Sequence, residues 1–328
     1  ITDTVPSRVA LEFYVNYRGF KDGQEITGKH ELGEPVRVYD FEAKALRARV
    51  FALNFITIGL SHYVRGEFED AIDYFKQAEQ VDGWLTTAGK EVVYLLLGNS
   101  LARMASREKS PQYIEQARAY YNFALEECNP EYARAEVGQA GMYYLEALGD
   151  PDDPSFDQVD EDLLEKSEAT YLRALILRDA PESAHIPTKV NFNLGQIYIV
   201  RAKIHEQDPQ VKAYWLQEAD SLFEKVVHEN ESGNVDIEEL VGHAYAKLAL
   251  IAWVQGDKDL AIEHQERAIG FYELFWNGYY AAVLGDMYAD LGQHEQAREA
   301  YQRAIQVAKD EGDQKSFDKY TAKLEALL

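Results

Sequence analysis

The sequence predicts an all-α solenoid, preceded by a short β-rich segment and closed by a final helix. Three observations predict it. First, residues 52–83 and 278–309 resemble each other: with Gly59 set against Gly285, Gly66 meets Gly292, Ala71 meets Ala297, Phe75 meets Tyr301 and Ala78 meets Ala304. Second, the same succession of small and aromatic residues recurs four more times in between. Self-similarity of this period marks stacked units, none of which buries its apolar face alone. Third, Phe317, Tyr320, Leu324 and Leu327 fall on one face at helical spacing, as a closing helix requires.

The chain opens differently. In RVALEFYVNY (8–17), Val9, Leu11, Phe13 and Val15 alternate with Ala10, Glu12, Tyr14 and Asn16, the period of a strand. Lys21-Asp22-Gly23 signals a turn, and residues 25–40 offer short extended pieces interrupted by Gly and Pro. From Phe41, EAKALRARVFALNF is helical and leads into the first repeat. Residues 1–39 thus form one or two strands without a core of their own. An isolated hairpin is marginal in water. This one must pack on the first repeat, pair with a missing upstream part, or pair with another molecule.

The six copies align on three positions. The first small residue is Gly59, Gly98, Gly138, Gly195, Ala249 and Gly285; the second is Ala71, Ala117, Ser167, Ala219, Ala261 and Ala297. The large residue is Phe75, Tyr121, Tyr171, Phe223, Gln265 and Tyr301, with Gln265 weakening the fifth copy slightly. This pattern resembles the tetratricopeptide repeat, a 34-residue helix–turn–helix unit. In its numbering these are positions 8, 20 and 24, with Ala78, Ala124, Ala174, Val226, Ala268 and Ala304 at position 27. Small residues let helices approach, aromatics fill the space between, and a glycine at position 15 ends helix A in a left-handed cap. The resemblance implies a right-handed superhelix with repeats starting near 52, 91, 131, 188, 242 and 278. The array then spans 40–312, and the cap spans 313–328.

Positions 8 and 20 should stand 12 residues apart. They stand 12, 19, 29, 24, 12 and 12 apart, so repeats two to four carry 7, 17 and 12 extra residues. YIVRAKIHE (198–206) continues helix A of repeat four until Asp208-Pro209-Gln210 breaks it.

The resemblance also implies a use: arrays of this family bind peptides or partner helices in the groove lined by helix A, through positions 2, 5, 9, 12 and 13. Position 9 holds Leu60, Asn99, Gln139, Gln196, Leu250 and Asp286, and the three successive amides could meet an extended backbone as both donors and acceptors. Arg103, Tyr143, Lys189 and Phe192 stand nearby, and Trp253 and Tyr279 face the groove farther along. The family's clamp for a C-terminal carboxylate is absent, because Ile56, Leu60, Val92, Leu95 and Leu96 stand where it needs polar groups. FYELFWNGYY (271–280) is a second, aromatic candidate surface, although repeat packing claims most of it.

The 328 residues are 46% hydrophobic and 27% charged, an ordinary globular composition. Thirty-three basic against 57 acidic residues give −24, which argues against nucleic acid and anionic membranes. No apolar run spans a membrane. Cys128 is alone, so no internal disulfide forms, and Glu126 and Glu127 beside it disfavour a thiolate. No phosphate-binding glycine loop, zinc-protease motif or nucleophile elbow occurs. The eight histidines lack ligand spacing. Residues 150–168 hold nine acids and one lysine. Asp150, Asp152 and Glu161 fit calcium-loop positions 1, 3 and 12, but Pro154 and Ser155 break the template, so a solvated insertion capping the next helix fits better. The Asn230-Glu231-Ser232 sequon has no secretion signal beside it.

These readings lead to a non-enzymatic cytoplasmic interaction scaffold, without cofactor, metal or catalytic residues, holding a protein or peptide partner. It has the look of a sensor arm from a larger bacterial signalling protein, since residue 1 is not Met. The rivals are a self-assembly module pairing through residues 8–35, monomer or weak dimer, and an enzyme with an unrecognised site.

Overall fold

The computed structural model describes residues 8–15, 26, 28–33, 35–37, 42–84, 86–150, 154–177, 186–231, 238–271 and 277–327. The Lys21–Gly23 turn, residues 151–153 of the acidic insertion, Ser232 of the sequon and residues 272–276 of the aromatic run lie outside them. The chain divides into two compact units, Ile1–Asn193 and Leu194–Leu328.

The first unit opens with β1 (Arg8–Val9), β2 (Glu12–Val15), β3 (Gly28–Glu31) and β4 (Val36–Arg37). β2 pairs antiparallel with β3, Phe13 opposite His30, and β1 pairs with β4, Val9 opposite Val36. Leu32 donates its N–H to the Leu11 carbonyl between the two pairs. Along β2 the alternation read from sequence holds: Phe13 and Val15 are half-buried, Glu12 and Tyr14 exposed.

The helices follow in antiparallel pairs: α1 (Glu42–Tyr63) with α2 (Phe68–Glu79), α3 (Lys90–Glu108) with α4 (Pro111–Asn122), and α5 (Ala133–Leu148) with α6 (Glu161–Ile176). A π-helical turn, Phe123–Cys128, extends α4. α7 (Ile186–Ile204) begins in this unit. The second unit holds the rest of α7, then α8 (Pro209–Glu231), α9 (Glu238–Gln255), α10 (Lys258–Phe271), α11 (Asn277–Asp290), α12 (His294–Asp310) and α13 (Gln314–Glu325). α13 closes on α12, with Phe317, Tyr320, Leu324 and Leu327 all turned into the core there.

Close approach at the small residue of helix A organises the pairs. A Cβ added to Gly59, Gly98, Gly195 or Gly285 would stand 2.5 to 2.7 Å from the ring of Phe75, Tyr121, Phe223 or Tyr301. These are the pairings the sequence alignment made between positions 8 and 24. Repeat three departs from it: Gly138 lies against Tyr121 of the preceding repeat, and a Cβ added to Gly141, one turn later, would meet the Tyr171 hydroxyl at 3.5 Å. In repeat five Gln265 replaces the aromatic. It is buried, and its Nε2 donates to the Tyr280 carbonyl of the next repeat at 2.9 Å. The expected weakening is therefore offset by a directed bond between repeats.

Helix stops explain the inserted residues. Gly66, Gly256 and Gly292 have φ of 75°, 93° and 72° and end α1, α9 and α11. Repeats two and four carry Ala105 and Ala202 at that position, and their helices run on to Glu108 and Ile204. Helix A of repeat four ends at Ile204, ahead of the expected Asp208-Pro209-Gln210 break. Pro209 instead starts α8, with Asp208 accepting from the N–H groups of Gln210 and Val211. In the acidic insertion, Asp160 caps α6 by accepting from Leu163 N–H at 3.0 Å, and Asp150 pairs with Lys109. No helix among the described residues is long and apolar enough to cross a membrane.

Gly98→Ala should cost about 1–3 kcal/mol, because Tyr121 must shift. Gly256→Ala should cost about 1–2 kcal/mol from backbone strain alone, since nothing lies within 4 Å of its Cβ position. Urea unfolding of both variants checks the pair.

Candidate functional site

The face of helix A is the candidate site, and each unit presents its own. In the first unit most of the proposed groove positions face inward. Val92, Leu95, Tyr132, Ala135 and Met142 are buried, in one apolar core with Ile26 and Leu32 of the N-terminal ribbon. Asn99 is 6% exposed, and its Oδ1 accepts from the Tyr121 hydroxyl at 2.8 Å. Gln139 is 8% exposed and its Nε2 donates to Asn122 Oδ1. Both amides thus serve contacts inside the array instead of standing in an open ladder. Asp286 in the last repeat plays the part of Asn99: it accepts from the Tyr301 hydroxyl at 2.6 Å and pairs with Lys323 of α13. Where position 24 is Phe75, position 9 is Leu60, which needs no hydrogen bond.

The remaining candidates of this unit scatter. Arg103 is half-buried on α3. Tyr143 lies under the Arg118 guanidinium, 4.6 Å from ring centre, and Arg118 also pairs with Glu146. Lys189 is half-buried and Phe192 buried on α7.

The ribbon occupies the ends of the helices that were to line the groove. Its Gly33 leaves room for the Arg49 guanidinium of α1, which a Cβ there would meet at 2.6 Å. Leu32 and Gly33 lie so close to Gly89, the N-cap of α3, that a Cβ on Gly89 would meet their backbone at 2.7 to 2.8 Å. Arg134, in the first turn of α5, reaches His30 Nε2 at 3.0 Å and donates to the Lys29 carbonyl at 3.4 Å. The His30 ring is buried, stacks on Phe13 and lies 2.7 Å from the Ile26 carbonyl. Burial first, then the positive charges of Arg134 and Lys189, lower its pKa to about 3. The ring is therefore neutral in its seat.

The second unit presents a more open face. Leu250 and Val254 on α9 are 38% and 39% exposed. Trp253 between them is half-buried, with Lys258 Nζ 3.6 Å above its ring. Tyr279 is 50% exposed at the start of α11. Its neighbour Tyr280 places its hydroxyl 2.5 Å from His243 Nδ1 on α9. His243 precedes Trp253 by ten residues, about 15 Å along the helix. Trp253 and Tyr279 therefore mark opposite ends of this face. Gln196 is half-buried on α7 in the same unit. Leu250 stands at position 9, and sequence reasoning passed over it in favour of the amides.

One group of potential metal ligands occurs among the described residues, His62, Glu67 and Asp70. Arg65 already donates to Glu67 Oε2 at 2.9 Å, beside His62 Nδ1 at 2.6 Å. That oxygen serves the α1–α2 turn. Burial, then Glu91, pushes the Cys128 thiol up to about 12, so it stays protonated.

A family model described as a tetratricopeptide repeat-like domain matches residues 179–327. No curated protein matches the sequence. Among solved structures, one described under the functional characterisation of Pseudomonas aeruginosa pilF superposes with TM-score 0.51 at 14% identity, covering 85% of this chain and 99% of that one. A thermophilic TPR protein of Thermus thermophilus gives TM-score 0.36 at 12% identity, covering 83% and 98%. A tetratricopeptide repeat protein of Parabacteroides merdae gives TM-score 0.38 at 13% identity, covering 84% and 98%.

Asn99→Leu should cost about 1–3 kcal/mol by removing the acceptor of the buried Tyr121 hydroxyl's 2.8 Å bond. Adding Tyr121→Phe should recover part of that loss, and a double-mutant cycle in urea reads the coupling. Coupling near zero would remove Asn99 from this role. The neutral burial of His30 has a defined pH sign. Its docked pKa lies below the free value of 6.5, so docking is fully favoured above pH 6.5 and weakens as pH falls toward 3. From pH 7.5 to 5, ribbon opening should rise about 30-fold, read by hydrogen exchange corrected for intrinsic rate. His30→Gln should abolish that rise.

Proposed function

We propose, from the premise that this chain is a tetratricopeptide-repeat protein, that it is a protein-interaction scaffold whose partner docks on the helix-A face of the second unit. The observation that carries the reading is the exposure of Leu250 and Val254 beside Trp253, with Tyr279 also exposed. These stand at groove positions of repeats five and six. Large apolar side chains left on such a face support contact with apolar side chains of a partner. A net charge of −24 favours a segment that carries Lys or Arg next to its apolar anchors. Lys258 across the Trp253 ring is a local example of that pairing.

Catalysis finds no support in this surface. Two polar groups near it, Asp286 and His243, are engaged by Lys323, Tyr301 and Tyr280.

The test is affinity capture from source-cell lysate with the full chain and with the double variant Leu250→Asp, Val254→Asp. Both side chains are exposed, so the variant should keep its helical circular dichroism. A protein held by the wild type should be lost by the variant, with at least a tenfold fall in recovery. Equal recovery by both baits would sink the reading. Light scattering addresses the rival: a monomer removes self-assembly through residues 8–35.

A further inference from the structure

We propose that the N-terminal ribbon is a resident ligand of the first unit. The ends of α1, α3 and α5 form a seat for an extended, two-stranded segment. The chain fills that seat in cis, and an outside segment of the same chemistry enters only when the ribbon leaves.

The contacts are those of a docked ligand. The helix pairs meet at Gly59 on Phe75 and at Gly98 on Tyr121. The ribbon joins the helices' apolar core through Ile26 and Leu32, with Leu11, Phe13 and Val15 packed against it. Ile26 and Leu32 are its fully buried apolar anchors among the described residues. Arg134 reads a backbone carbonyl and one imidazole nitrogen. Gly89 admits the ribbon's backbone where any side chain would exclude it. The outer side, Glu12, Tyr14 and Glu31, remains exposed.

The seat thus specifies its occupant: an antiparallel β segment with apolar inward residues, a backbone tight enough to meet Gly89, and a group without positive charge near Arg134. The groups facing that ring are Arg134 from α5 and Lys189 from α7. A charged imidazolium or lysine at that place would be repelled by both. A carboxylate there would be drawn to both, so the seat excludes positive charge at that place. Lys29 turns the other way and pairs with Glu12 and Glu31 on the ribbon itself.

This inference is independent of the second unit's face. Its first test is hydrogen exchange on the full-length chain. The amides of β2 and β3 should open at least tenfold faster than those of α3 and α5. Arg134→Ala should accelerate the ribbon about tenfold further and leave the α3 core unchanged. Ribbon and helices exchanging at one common rate, in wild type and variant alike, would overturn the proposal, because the ribbon would then be part of a single cooperative core. The second test uses the full-length variant Ile26→Asp, which spoils the ribbon's own anchor and leaves the seat intact. A fluorescent peptide of residues 8–37 should bind this variant at least tenfold tighter than it binds the wild type. Equal binding, or loss of helical circular dichroism in the variant, counts against a preformed seat.

Discussion

Four of the six helix pairs of this chain close where helix A has no side chain in the way. At Gly98 the partner ring of Tyr121 stands where a Cβ would be, and Gly59, Gly195 and Gly285 repeat the arrangement. Much of the rest follows from that approach. The ring fills the interhelical space, so a large residue at position 24 is required. Where the ring is tyrosine, its hydroxyl is carried into the core and must be met, by Asn99 in one repeat and Asp286 in another. Where it is phenylalanine, as at residue 75, a leucine suffices opposite. Asn99 and Asp286 at position 9 thus answer to the ring before they answer to any partner.

The same constraint decides which face of the molecule is spare. In the first unit, helix A is gripped from one side by its own helix B and met at its end by the ribbon. In the second, α9 keeps Leu250 and Val254 at the surface. Two surfaces of like origin thereby come to differ, one furnished by the chain itself and the other left to solvent.

Much of this was legible in the sequence. Small and aromatic residues at fixed spacing report contacts between adjacent helices, and such contacts are local. The closing helix and the strand alternation of residues 12–15 were likewise visible, because period and polarity carry them. The ribbon's seat was not visible, since His30 meets Arg134 across 104 residues and no pattern links the two. The inward turn of Asn99 and Gln139 escaped for a related reason: an amide suits a peptide backbone and a tyrosine hydroxyl equally well. In repeat three, Gly138 and Gly141 stand one turn apart, and spacing alone does not choose between them. The openness of Leu250 depends on which neighbours cover α9, and that is a matter of packing.

Gln265 has a mechanical consequence. Nearest-neighbour coupling in a repeat array is usually diffuse apolar contact, which weakens gradually as two repeats slide apart. Here the fifth repeat also holds the sixth by an amide bonded to a main-chain carbonyl, Tyr280, inside the core. Such a bond is brittle: it persists at 2.9 Å and is forfeited by a displacement of about one ångström. Fraying that starts at the C-terminal end therefore meets a threshold at α11, and the last two repeats should yield together under load.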